Sequence, residues 1–147
     1  MKLDAVRRYR AQVEEVLRME LLVSYQNLQD AELLCRSLDA RMRMTSERYA
    51  AKASAGMAVE EFMEWQAVSD AEAAMLVQAR QDEVRLRDEW SRKQQDVREA
   101  MQERRTLDRL AERMRQQQQV AQHHIEQLQM DEAARRTGGR HHNSMNR

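Results

Sequence analysis

The sequence predicts an all-α fold, a long two-helix antiparallel coiled-coil hairpin with a longer, overhanging C-terminal helix. Three observations predict it. The chain of 147 residues has no proline and only three glycines, Gly56, Gly138 and Gly139, so the punctuation that strands and tight turns need is almost missing. Strong helix formers dominate: Ala, Leu, Met, Glu, Gln and Arg. Apolar residues recur every seven positions in two long stretches, and the two repeats are out of phase with each other.

The first arm is expected at about 3–53. One seam position carries Leu21, Leu28, Cys35, Met42 and Tyr49, and its companion carries Leu17, Ser24, Ala31, Leu38 and Thr45. Val6, Val13 and Leu34 widen this stripe. Together these positions mark helices that supercoil about one another.

The turn is expected at about 54–58. The segment "AAKASAGMA" is small and contains the one internal glycine, Gly56, which tolerates the left-handed backbone that ends helices. From Tyr49 to Phe62 the spacing is 13 residues rather than 14, so the two repeats do not join. The competing reading of these residues is one uninterrupted helix in an intermolecular dimer, a generic dimeric coiled-coil scaffold.

The second arm is expected at about 59–136. Its first turn is acidic (Glu60, Glu61, Glu64), as the helix dipole favours. One seam position reads Phe62, Ser69, Leu76, Glu83, Trp90, Val97, Arg104, Ala111, Gln118 and Ile125; the other reads Trp65, Glu72, Ala79, Leu86, Lys93, Ala100, Leu107, Met114, Ala121 and Leu128. Polar interruptions of this kind weaken a seam but fix its register. At a rise of 1.5 Å per residue the arms are about 75 Å and about 115 Å long. A hairpin centred on Gly56 brings Leu3 opposite the region of Arg109 and leaves everything after Leu110 without an intrachain partner. A lone helix of that size is marginal in water, so residues 116–136 are expected to fray until a partner arrives. The tail, 137–147, has Gly, Ser and Asn without an apolar seam and is expected to be disordered.

Charge excludes some functions. Lys plus Arg and Asp plus Glu are both 25, and zero net charge argues against a dedicated nucleic-acid binder. The balance hides a gradient. Residues 57–91 carry nine acids and three arginines, whereas 92–115 carry eight basic residues and five acids. The single cysteine, Cys35, fits a reducing compartment. No apolar run approaches the roughly 20 residues of a membrane span, so direct membrane insertion is not expected. The start lacks the apolar stretch of a signal peptide.

Catalytic motifs are not found: no nucleophile elbow, phosphate loop or paired-glycine fingerprint. His123 and His124 diverge on a helix, and His123 with Glu126 supplies too few ligands for an ordinary metal site. The expectation is a protein that is not an enzyme, with no cofactor and no metal. Phe62, Trp65, Tyr49, Met57 and Met63 gather near the turn, where two helices alone cannot bury them, so a partner-binding patch is expected there. The eleven methionines suit an adaptable surface.

The unequal arms, the small-residue turn, the tryptophan midway along arm two, the run "REAMQERRTLDRLAERMRQQ" and the ending "QLQMDEAARR" resemble the FliJ family of the bacterial flagellar type III export apparatus. The resemblance spans roughly residues 6–136. It implies a stalk-like coiled coil that contacts the hexameric export ATPase and, through another surface, the export-gate membrane protein, and that escorts export chaperones. It implies a protein that is a monomer when free, cytoplasmic and peripherally associated with the inner membrane. Injectisome stalks would look alike. By this resemblance Val6, Val13, Leu107, Met114, Ile125, Leu128, Asp131 and Glu132 are candidates for the ATPase ring. Met42, Tyr49, Phe62 and Trp65 are candidates for the gate.

Overall fold

The computed structural model describes residues 2–145. They form two long helices that pack against each other, α1 (Lys2–Ala55) and α2 (Val59–Met145), and no strand occurs among them. Asp4 lies in the first turn of α1 and Lys52 in its last, and Glu60 and Glu61 open α2; each has the sign that the helix dipole favours at its end.

The turn is shorter than the sequence suggests. Ser54 stays in α1, its hydroxyl donating to the Ala50 carbonyl at 3.0 Å, and the helix runs to Ala55. Gly56 then reverses the chain with φ +99°, its amide donating to the Ala53 carbonyl at 3.3 Å. The Ala58 carbonyl accepts the first bond of α2, from the Phe62 amide, at 3.0 Å. Among the described residues only Gly56 to Ala58 remain outside the helices.

The chain divides into two compact units. Ala11–Met101 form the turn unit. The chain up to Arg10 and from Gln102 onward forms the terminal unit.

In the turn unit the arms run antiparallel, and the expected seam is the buried one. Leu28, Ala31, Cys35, Leu38, Leu76, Ala79, Val97 and Ala100 are its buried apolar residues. Cys35, Leu38, Leu76 and Ala79 form one cluster, with Met42 packed against it. No side chain is fully buried, as expected when a core is only two helices thick. Leu34, expected to widen the stripe, is exposed, and Val13 is half-buried. A helix pair covers only the narrow seam and its immediate flanks. Glu14, seven residues before Leu21, occupies the seam itself; it is buried and accepts from Arg18 at 2.8 Å.

Tyr49 against Phe62 and Glu20 with Lys93 lie within one residue of a fold centred on Gly56, whereas two of the ion pairs are displaced from it. A fold centred on Gly56 puts Glu32 near Arg80 and Asp39 near Ala73. Instead Glu32 meets Arg87 at 3.2 Å and Asp39 meets Arg80 at 3.9 Å. The cause is twofold: the turn is centred after Gly56, and arginine side chains reach along the helix to their partners.

In the terminal unit Leu3, Leu107, Ala111 and Met114 are half-buried. Arg7 donates to Asp108 from both Nε and Nη2, at 3.1 and 3.0 Å, and Arg10 donates to Glu103 at 2.6 Å. Val6, expected on the stripe, is exposed. Beyond Met114 the seam ends, and every side chain from Arg115 to Gly139 is exposed. Helix α2 nevertheless continues as far as Met145 through the segment 137–147 that was expected to be disordered, whose last two residues lie outside the described ones. Extending a helix fixes one residue per hydrogen bond, whereas starting one fixes several.

Candidate functional site

Two surfaces hold the residues singled out from sequence. The first lies in the turn unit. Helical geometry gives the packed arms two edges. Along one edge the seam is closed by the Glu32–Arg87 and Asp39–Arg80 pairs and by Tyr25 against Trp90, ring centroids 5.9 Å apart. The other edge near the turn carries exposed apolar side chains: Met44 on α1, Val68 and Met75 on α2.

That second edge opens into a groove of about 850 Å³ lined by Ala40, Met44, Trp65 and Val68. Its α1 bank is basic, with Arg41, Arg48 and Lys52, and its α2 bank is acidic, with Glu64 and Glu72. Thr45 Oγ1 donates to Glu72 Oε1 at 2.9 Å and holds that carboxylate across the seam. The Lys52 ammonium stands 5.3 Å from the centre of the Trp65 ring, a cation–π contact that keeps both side chains over the groove.

The structure brings together part of the expected gate cluster. Tyr49 and Phe62 are in ring contact, centroids 6.0 Å apart, and Phe62 is exposed. Trp65 faces the groove, whereas Met42 is half-buried against the core cluster. Sequence reasoning missed Arg41, Met44, Arg48 and Val68. Each is next to a seam position, and the seven-residue spacing does not say which of those flanks stays open.

The second surface is the overhanging stretch of α2 in the terminal unit. Ile125 and Leu128 are 48% and 55% exposed, in phase with the half-buried Leu107 and Met114. Asp131 and Glu132 follow, also exposed. Val13 belongs to the turn unit and is half-buried there.

Chemically, these surfaces offer contact. Among the described residues no group of three or more His, Cys, Asp and Glu side chains converges to hold a metal ion. Among the described residues no helix is long and apolar enough to cross a membrane. Burial and a hydrogen bond with Glu83 push the Cys35 thiol above its ordinary value, which keeps it protonated and unreactive.

Comparison with known proteins gives one family. Its model, described as the flagellar FliJ protein, matches residues 1–143. No curated protein and no solved structure matches significantly. Because that single match takes in both arms, the turn and the overhang, this chain belongs to the FliJ family of flagellar proteins.

Proposed function

We propose that the protein is a stalk that couples the export ATPase ring to the export gate and assists delivery of substrates or their chaperones. Membership of the FliJ family makes it a flagellar export-associated protein. The observation that carries the finer reading is the overhang. Helix α2 keeps its heptad phase through Ile125 and Leu128 after its intrachain partner has ended, and both are exposed. A helix that presents a seam without a facing helix is shaped to be received by another protein. In this reading Val6, Val13, Leu107, Met114, Ile125, Leu128, Asp131 and Glu132 serve the ATPase ring. Met42, Tyr49, Phe62 and Trp65 serve the gate.

Co-purification with the export ATPase tests the assignment. The full chain is expected to retain the ATPase, and a chain lacking residues 110–147 to lose it. Ile125→Asp and Leu128→Asp should each weaken the association about tenfold or more, the scale of an apolar anchor at an interface. ATPase binding and export that survive both substitutions would rule out insertion of the overhang.

A further inference from the structure

A second groove in the turn unit belongs to neither surface above. Val16, Met19 and Val23 follow one another at helical spacing on the outer flank of α1 and are 54%, 58% and 60% exposed. With Glu20 and Ser24, and with Glu89 and Lys93 from α2, they line an open groove of about 380 Å³.

The seam explains the opening. Ser24 is too small to fill its seam position, and its buried hydroxyl has no hydrogen-bond partner among the described residues. Lys93, also a seam residue, leaves the floor to reach Glu20 at 2.7 Å. Its ammonium is held above the ordinary lysine value by that hydrogen bond and then by the carboxylates of Glu20, Asp96 and Glu89. Of the charged residues that line the groove two are acidic, Glu20 and Glu89, and one is basic, Lys93, so the rim is net negative.

We propose that this groove docks an amphipathic helix of another protein, whose apolar stripe sits on Val16, Met19 and Val23 and whose flank carries Lys or Arg against Glu89 and Glu20. A groove between two packed helices accepts the side-chain ridge of a third, and charge complementarity sets the sign of its flank. The overhang of a second copy does not fit. Its apolar residues Val120, Ile125, Leu128 and Met130 are flanked by Glu126, Asp131 and Glu132, and its arginines, Arg115, Arg135 and Arg136, lie only at its two ends. The docking is additional to the stalk role and does not depend on it.

The test uses two fluorescent synthetic peptides of about 21 residues, three heptads, a length at which helix formation on a surface becomes feasible. Both have Leu at the seam positions; one is flanked by Lys, the other by Glu. Anisotropy is read on the full chain. The Lys peptide is expected to bind about tenfold more tightly than the Glu peptide. The double variant Val16→Asp with Val23→Asp should lose about tenfold for the Lys peptide, while Met44→Asp with Val68→Asp, in the other groove, should leave it unchanged. Glu89→Gln, a near-isosteric change at the rim, should narrow the preference between the peptides. Failure of the Lys peptide to bind, equal binding of both peptides, or equal losses in the two double variants would each overturn the proposal. Unaltered circular dichroism in every variant confirms that the fold is kept, as expected for side chains outside the seam.

Discussion

At Gly56 the backbone adopts φ +99°, and no atom lies within 4 Å of the place a Cβ would occupy. An alanine there meets no clash with neighbours but must hold a conformation that L side chains disfavour. Gly56→Ala should therefore cost about 1–2 kcal/mol, measured as a lower urea midpoint with an unchanged slope. Cys35 makes the opposite kind of prediction, since its environment favours the neutral thiol. Its value is raised above 9.0 in the fold, so between the unfolded and folded values the native state holds a proton that the unfolded state has lost. Stability should thus fall as pH rises past about 9, more in the native chain than in Cys35→Ala. Alkylation of Cys35 at pH 8 should be slow and accelerate on addition of denaturant. Lys93 and Ser24 could be placed at seam positions from sequence. That the lysine would swing out to Glu20 could not be, because which acid it finds depends on the facing register.

At the scale of the helices, the seam was legible and its edges were not. Leu28, Cys35, Leu38, Leu76 and Ala79 are buried where the seven-residue spacing puts them. Leu38→Ala should accordingly cost about 2–3 kcal/mol, the lower part of the range for a core leucine because the core is thin. Leu34→Ala, on an exposed flank, should cost under about 0.5 kcal/mol. Val6 and Leu34 were misplaced because hydrophobicity alone does not say which side of a stripe is covered. Counting sevens back from Leu21 and Leu17 leads instead to Glu14, Arg10, Arg7 and Leu3, polar for the most part, and a search for apolar residues passes over them. The groove near the turn was half legible: Trp65 was visible as an aromatic, whereas Met44 and Val68 become conspicuous only once the opposite edge is known to be closed by ion pairs. The stretch 116–136 has neither a facing helix nor tertiary burial, so its amides should exchange with solvent far faster than those at Leu28 or Leu86. Equal protection would show that the overhang is stable unaided.

For the molecule as a whole, the internal seam of the arms removes the need for a second chain. Light scattering is expected to give a monomer of 17.4 kDa at micromolar concentration, whereas a stable dimer would favour the scaffold reading. The family was legible through the terminal run of α2 and the unequal arms, both of which survive in the structure as the overhang. Its partners are written less plainly, since a contact surface is a matter of which flank stays open. The paired edges of the turn unit also bear on how such a chain can change in length. Glu32 with Arg87 and Asp39 with Arg80 tie two points of one arm, seven residues apart, to counterparts on the other. A single inserted residue in one arm rotates everything beyond it by about 100° and uncouples the pairs, so insertions and deletions there must come as sevens matched in the two arms. Past Met114 no facing arm has to be matched, and the reach of the protein is set by the length of α2 alone.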